Sequence, residues 1–142
     1  GYTASGRNAP GPTVYNMIDK FPFATATTNA TDVGDLSVGR GTTAGSSSSA
    51  SGYTHGGNAP PLSNVIDKFP FASDGNATDV GDLTAARYGT TGQSSENNGY
   101  TSGGLVPPNT NAIEKFPFSS DANSTDVGDL TGNYYGNAGQ QV

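Results

Sequence analysis

An all-β fold built from three copies of one unit is what this sequence predicts, and three observations carry that prediction. Short phrases recur at intervals of 47 or 48 residues: IDKFPF at 18–23 and 66–71 and IEKFPF at 113–118, with TDVGDL at 31–36, 78–83 and 125–130. No segment has the 3.6-residue apolar period of an amphipathic helix, and Gly and Pro interrupt the chain too often for helices. Leu, Ile, Val and Phe number 22 of 142 residues, about 15%, below the roughly 20% expected of a packed globular domain. A large helical core is thereby excluded; a shallow β architecture of small, polar strands is not.

The unit is about 47 residues long. With GYTASG at 1–6, GYTHGG at 52–57 and GYTSGG at 99–104 as starting points, the repeats occupy 1–51, 52–98 and 99–142, the last with its C-terminal strand out of phase. They form one structural domain or part of a longer array. Each unit reads as four short strands. The first is G-Y-T-x-G-G, whose glycine pair allows a sharp turn or a close backbone approach. After a Pro- and Asn-bearing loop, VIDKFPF at 65–71 alternates Ile66 and Lys68 against Val65, Asp67 and Phe69, its Pro marking a strand end or outer strand. SDGN at 73–76 has hairpin-loop composition, so turns are expected near 25–29, 73–76 and 120–123. ATDVGDL supplies the third strand, and the tracts after Arg40, Arg87 and Tyr134 (RGTTAGSSSS, RYGTTGQSSE, YYGNAGQQV) the fourth.

Four short strands per 47 residues match the unit length of propeller blades. Read from the Gly-rich tract onward, R-Y-G-T-T-G-Q-S-S, G-Y-T-S-G-G, N-A-I-E-K-F-P-F and N-S-T-D-V-G-D-L resemble a kelch repeat. The double glycines are Gly56–Gly57 and Gly103–Gly104, and Phe21, Phe69 and Phe116 stand where that family has Tyr. Two departures are visible: the family's Trp is replaced within TDVGDL, and the first unit has Ser5–Gly6. The wording is also similar to degenerate kelch-like repeats of virion-associated proteins of marine bacteriophages. The resemblance implies kelch-like β-propeller blades, three four-stranded antiparallel units whose ring is incomplete in one chain. A linear stack of β repeats is the alternative.

Composition removes several functions. The formal charge is −6 and the six cationic side chains lie far apart, so binding of nucleic acid through phosphate neutralisation is not expected. No apolar run approaches the roughly 18 residues of a membrane span, and the absence of Cys removes disulfides and thiolate chemistry. The chain opens at Gly1 without Met or signal peptide, as a processed product or a segment of a longer array would.

Candidate chemistry is sparse. The carboxylate pairs Asp32/Asp35, Asp79/Asp82 and Asp126/Asp129 are weak Ca²⁺ candidates with Asp74 or Asp121, or else cap turns. N-x-T sequons at Asn29, Asn76 and Asn123 are possible glycan acceptors or simply suit a hairpin turn. The Phe-Pro-Phe strips are read as core rather than as sugar-stacking surface. The expected repeat core is Ile18, Phe21, Val33 and Leu36, with Ile66, Phe69, Val80 and Leu83, and with Ile113, Phe116, Val127 and Leu130. His55 has no counterpart in the other units, so a Ser-His-Asp triad is not expected, and neither is any metal or other cofactor. Arg40 and Arg87 are expected to bridge Asp or carbonyl groups between units, and Tyr134 breaks that series.

The expected function is non-enzymatic: an extracellular or virion structural and adhesive module, most readily a phage virion-associated protein presenting loops to a host or a neighbouring subunit. A self-assembling bacterial extracellular filament or surface protein is the alternative. Self-association through the chain ends is expected, with other virion or surface proteins or a glycan receptor as further partners. Nucleic acid and membrane insertion are not among them.

Overall fold

The computed structural model describes residues 1–8, 11, 13–24, 29–106 and 108–141. It is all-β, with no helix among these residues. Strands β1 (Tyr2–Arg7), β2 (Val14–Lys20) and β3 (Thr31–Asp35) form a three-stranded antiparallel sheet in chain order. Strands β4 (Ala44–Ser47), β5 (Ser51–His55), β6 (Val65–Pro70) and β7 (Thr78–Asp82) form a four-stranded sheet. A third sheet repeats it with β8 (Thr91–Ser94), β9 (Asn98–Ser102), β10 (Ala112–Pro117) and β11 (Thr125–Asp129). The expected turns at 73–76 and 120–123 lie between paired strands, whereas most of the one at 25–29 falls outside the described residues. Two expectations are corrected. The first unit gives three strands among the described residues, not four. The third Gly-rich tract, from Tyr134, is no strand, because its backbone bonds are isolated, Gly136 N to Gly89 O at 2.7 Å and Gly104 N to Tyr134 O at 2.8 Å, and make no ladder.

A bulge explains the recurring T-D-V-G-D-L. In all three sheets the register shifts by one residue opposite Ile18/Asp19, Ile66/Asp67 and Ile113/Glu114. The extra residues are Val33, Val80 and Val127, and Asp32, Asp79 and Asp126 each accept the N–H of the glycine two positions on. One inserted residue reverses the in–out phase of a strand. Val and Leu three apart therefore reach the same side: Val33 and Leu36 share one cluster, Val80 and Leu83 the other.

Those clusters lie between successive sheets. Ile18 and Leu36, with Tyr2, Ala4 and Val33 around them, receive Phe69, Phe71 and Ala77 of the next unit. Tyr53, Ile66, Leu83 and Val80 receive Phe116 and Phe118 in the same way. The far ends of the Phe69 and Phe116 rings cover cross-strand glycines; a Cβ on Gly52 would come within 2.3 Å of the Phe69 ring, and one on Gly99 within 2.3 Å of Phe116. The expected core is buried at Ile18, Leu36, Ile66, Phe69, Leu83 and Phe116. Phe21, Val33, Val80, Ile113 and Leu130 are half-buried, and Val127 is 48% exposed. These are corrections: each unit buries its apolar face against the next unit's Phe-Pro-Phe strip, and among the described residues no strip covers Ile113, Val127 and Leu130 and no unit face receives Phe21, while Val33 and Val80 lie on edge strands at the rims of their clusters.

Candidate functional site

The joints between units hold most of the buried polar chemistry. Arg40 and Asp67 are both inaccessible to solvent and lie 3.0 Å apart. Arg40 also donates to Thr54 O at 3.0 Å, and Asp67 accepts the N–H of Ser37 at 3.1 Å. In the next joint Arg87 pairs with Glu114 at 2.6 Å. Glu114 accepts Thr84 N–H at 2.9 Å and the hydroxyls of Thr84 and Ser124. Burial pushes both guanidiniums down from their ordinary pKa, opposed by the carboxylate each faces. The expected bridging by arginine is thus present, and the acids are the ones inside I-D-K and I-E-K. Each lies 27 residues after its arginine; that common spacing was the available signal. Tyr134, at the third arginine position, is 49% exposed, yet its carbonyl still accepts from Gly104 N as Arg87 O does from Gly57 N.

The sequon asparagines act as clasps. Asn76 Oδ1 accepts from Asp35 N at 3.0 Å and Asn123 Oδ1 from Asp82 N at 3.0 Å, each reaching the bulged edge strand of the preceding unit. Asn29 is exposed. The calcium candidates do not assemble. Asp79 and Asp126 hold their bulges, Asp74 and Asp121 pair with Lys20 and Lys68, and no group of three acidic, His or Cys side chains forms among the described residues.

His55 is fully buried, 5.4 Å from the Phe116 ring. Its Nε2 lies 2.9 Å from Ser46 Oγ and its Nδ1 2.7 Å from Thr101 Oγ1. Ser46 donates its one proton to Gln93 O; the network therefore places the imidazole proton on Nε2, with Thr101 donating to Nδ1. Burial, then the charges of Arg40 and Arg87, lower its pKa to about 3. A neutral, solvent-free His whose second nitrogen meets a hydroxyl rather than a carboxylate ties units together and activates no serine.

A groove lies beside β1. Among the described residues no strand lies along the side of β1 away from β2, whereas the equivalent β5 and β9 carry β4 and β8 there. The result is a groove of about 720 Å³ between β1 and β4, with Tyr2, Gly45, Phe69 and Phe71 among its walls. No helix among the described residues is long and apolar enough to cross a membrane. The sequence matches none of the protein families or curated proteins with which it was compared.

Proposed function

We propose that this chain is a non-enzymatic structural repeat module of the kelch-like, blade-forming kind, working outside a cell or on a virion by holding loops rigidly for contact with a host surface or a subunit. The observation that carries this reading is a division of labour. The turns after the Phe-Pro-Phe strips bind the neighbouring unit through Asn76 and Asn123. The loops at the other end of the same strands differ between units, reading NAPPLSN at 58–64 and LVPPNTN at 105–111. They carry exposed Pro60, Pro61 and Pro108. Exposed positions such as these can diverge, and rigid scaffolds place recognition on such loops.

The test applies labelled protein to a panel of marine bacterial cells and phage particles, beside a variant whose residues 59–62 and 105–109 are exchanged for Gly and Ser. Retention of the native chain, lost in the exchanged chain with its melting temperature kept, is the expected result. Equal retention of both, or of neither, would overturn the reading. The open groove favours the second reading, a self-assembling filament, and has a more specific consequence.

A further inference from the structure

We infer that the groove beside β1 is a strand-acceptor site for residues Ala138–Gln141 of a second copy, joining copies head to tail. The inference rests on the structural reading above and names the partner of that scaffold. Two completed examples lie within the chain. In the second unit Ala44, Gly45, Ser46 and Ser47 stand opposite His55, Thr54, Tyr53 and Gly52. In the third, Thr91, Gly92, Gln93 and Ser94 stand opposite Ser102, Thr101, Tyr100 and Gly99. The next equivalent segment is Ala138, Gly139, Gln140 and Gln141, whose register would set them opposite Ala4, Thr3, Tyr2 and Gly1.

Stacking contacts agree with this assignment. A Cβ on Gly92 would lie 2.0 Å from Gly45 O, and one on Gly139 would lie 2.4 Å from Gly92 O. Successive Gly-rich segments thus touch backbone to backbone, and each glycine faces the preceding segment. Gly45 faces the groove, where its added Cβ meets only Tyr53 O, at 3.8 Å. A ladder of polar bonds runs the same way: Ser47 N donates to Ser94 Oγ and Ser94 N to Gln141 Oε1.

The outer apolar faces fit the same operation. Phe71 stacks on Tyr2 at 4.9 Å and Phe118 on Tyr53 at 4.8 Å. Phe23, 84% exposed, is their counterpart, and Tyr100 with half-exposed Val127 is the surface left to receive it. Asp19 stands where Asp67 and Glu114 accept the N–H groups of Ser37 and Thr84; Thr131 is the next donor in that series. No arginine serves this joint, since Tyr134 replaces it, so it is weaker than the internal ones and reversible. The contact is heterologous and propagates unless its rotation closes a ring.

The experiment is sedimentation velocity of the intact chain from 1 to about 200 μM, with binding of a Tyr134–Gln141 peptide measured alongside. Mass rising with concentration in steps of 14.3 kDa is expected. Gly45→Val, whose side chain enters the groove, and Val127→Asp, on the opposite face, should each remain monomeric with unchanged melting. Mixed, they should form a dimer and nothing larger, because each keeps the surface that the other lacks. The peptide should bind the native chain and Val127→Asp but not Gly45→Val. A monomer at every concentration, Gly45→Val assembling like the native chain, or a mixture that stays monomeric would overturn the inference. Retention on cells by a strictly monomeric chain would sink this inference and leave the presentation reading standing.

Discussion

The two internal joints share one backbone plan and differ in how completely their charges are satisfied. In the first, Asp67 meets Arg40 and Ser37 N, but its Oδ1 has no hydrogen-bond partner, nor do Nε and Nη1 of Arg40. In the second, Glu114 is one methylene longer and engages Thr84 and Ser124 with both oxygens, while Nε and Nη2 of Arg87 have no hydrogen-bond partner, as two nitrogens of Arg40 have none. The hydroxyl of Ser124 stands where the first joint has Ala77, which is packed against the apolar cluster instead. His55 likewise stands where the first unit has Ala4. Lengthening the acid thus comes with a hydroxyl to meet it. The two arginines are equally under-satisfied, and the joints differ at the acid: a buried carboxylate costs less when its lone pairs are satisfied, which holds for Glu114 and not for Asp67.

The largest expected effects test what the joints share. Phe69→Ala and Phe116→Ala should each cost about 3–5 kcal/mol in urea unfolding, since both rings are buried in equivalent clusters. Costs differing by more than about 1 kcal/mol would show that the apolar halves are not equal. Removing one partner of a buried ion pair costs about 3–5 kcal/mol. Arg40→Met should fall at the upper end of that range, because Asp67 keeps only Ser37 N, and Arg87→Met at the lower end, because Glu114 keeps three donors.

The titration of His55 bears on the second joint. His55 is held neutral with its pKa near 3, against about 6.5 unfolded. Its contribution is complete above pH 6.5, falls as the pH drops from 6.5 toward 3, and is constant below. At pH 5 the loss is about 2 kcal/mol. His55→Gln should remove that part of the slope between pH 7 and 5, as read by unfolding at both values. Smallest, Ser124→Ala should cost about 1 kcal/mol, while Ala77→Ser should gain nothing because Asp67 is too short to reach it.

Strand content, chain-order sheets and the inward Phe strips were legible in the sequence because three copies state them three times. The bulge was not: T-D-V-G-D-L looks like a strand whose Val and Leu point opposite ways until Asp79 is seen folding back to Gly81 N. Val127 was misplaced for another reason. Repetition reports what a residue's copies do, but burial depends on the neighbouring unit, which Val33 and Val80 have and Val127 does not. The sequons read first as turn residues and second as glycan sites; only the reach of Asn76 to Asp35 N, 41 residues away, reveals a clasp.

The self-similar joint also bears on how such a gene can change. Recombination between copies removes or adds whole 47-residue periods, and the chemistry at the new junction is already rehearsed. Excising 41–87 would bring Phe116 and Phe118 onto Tyr2, Ile18 and Leu36, Lys20 to Asp121, and Arg40 to Glu114. Every one of these pairings has a counterpart in the present molecule. The number of units can therefore be raised or lowered in one genetic step, without a foldless intermediate.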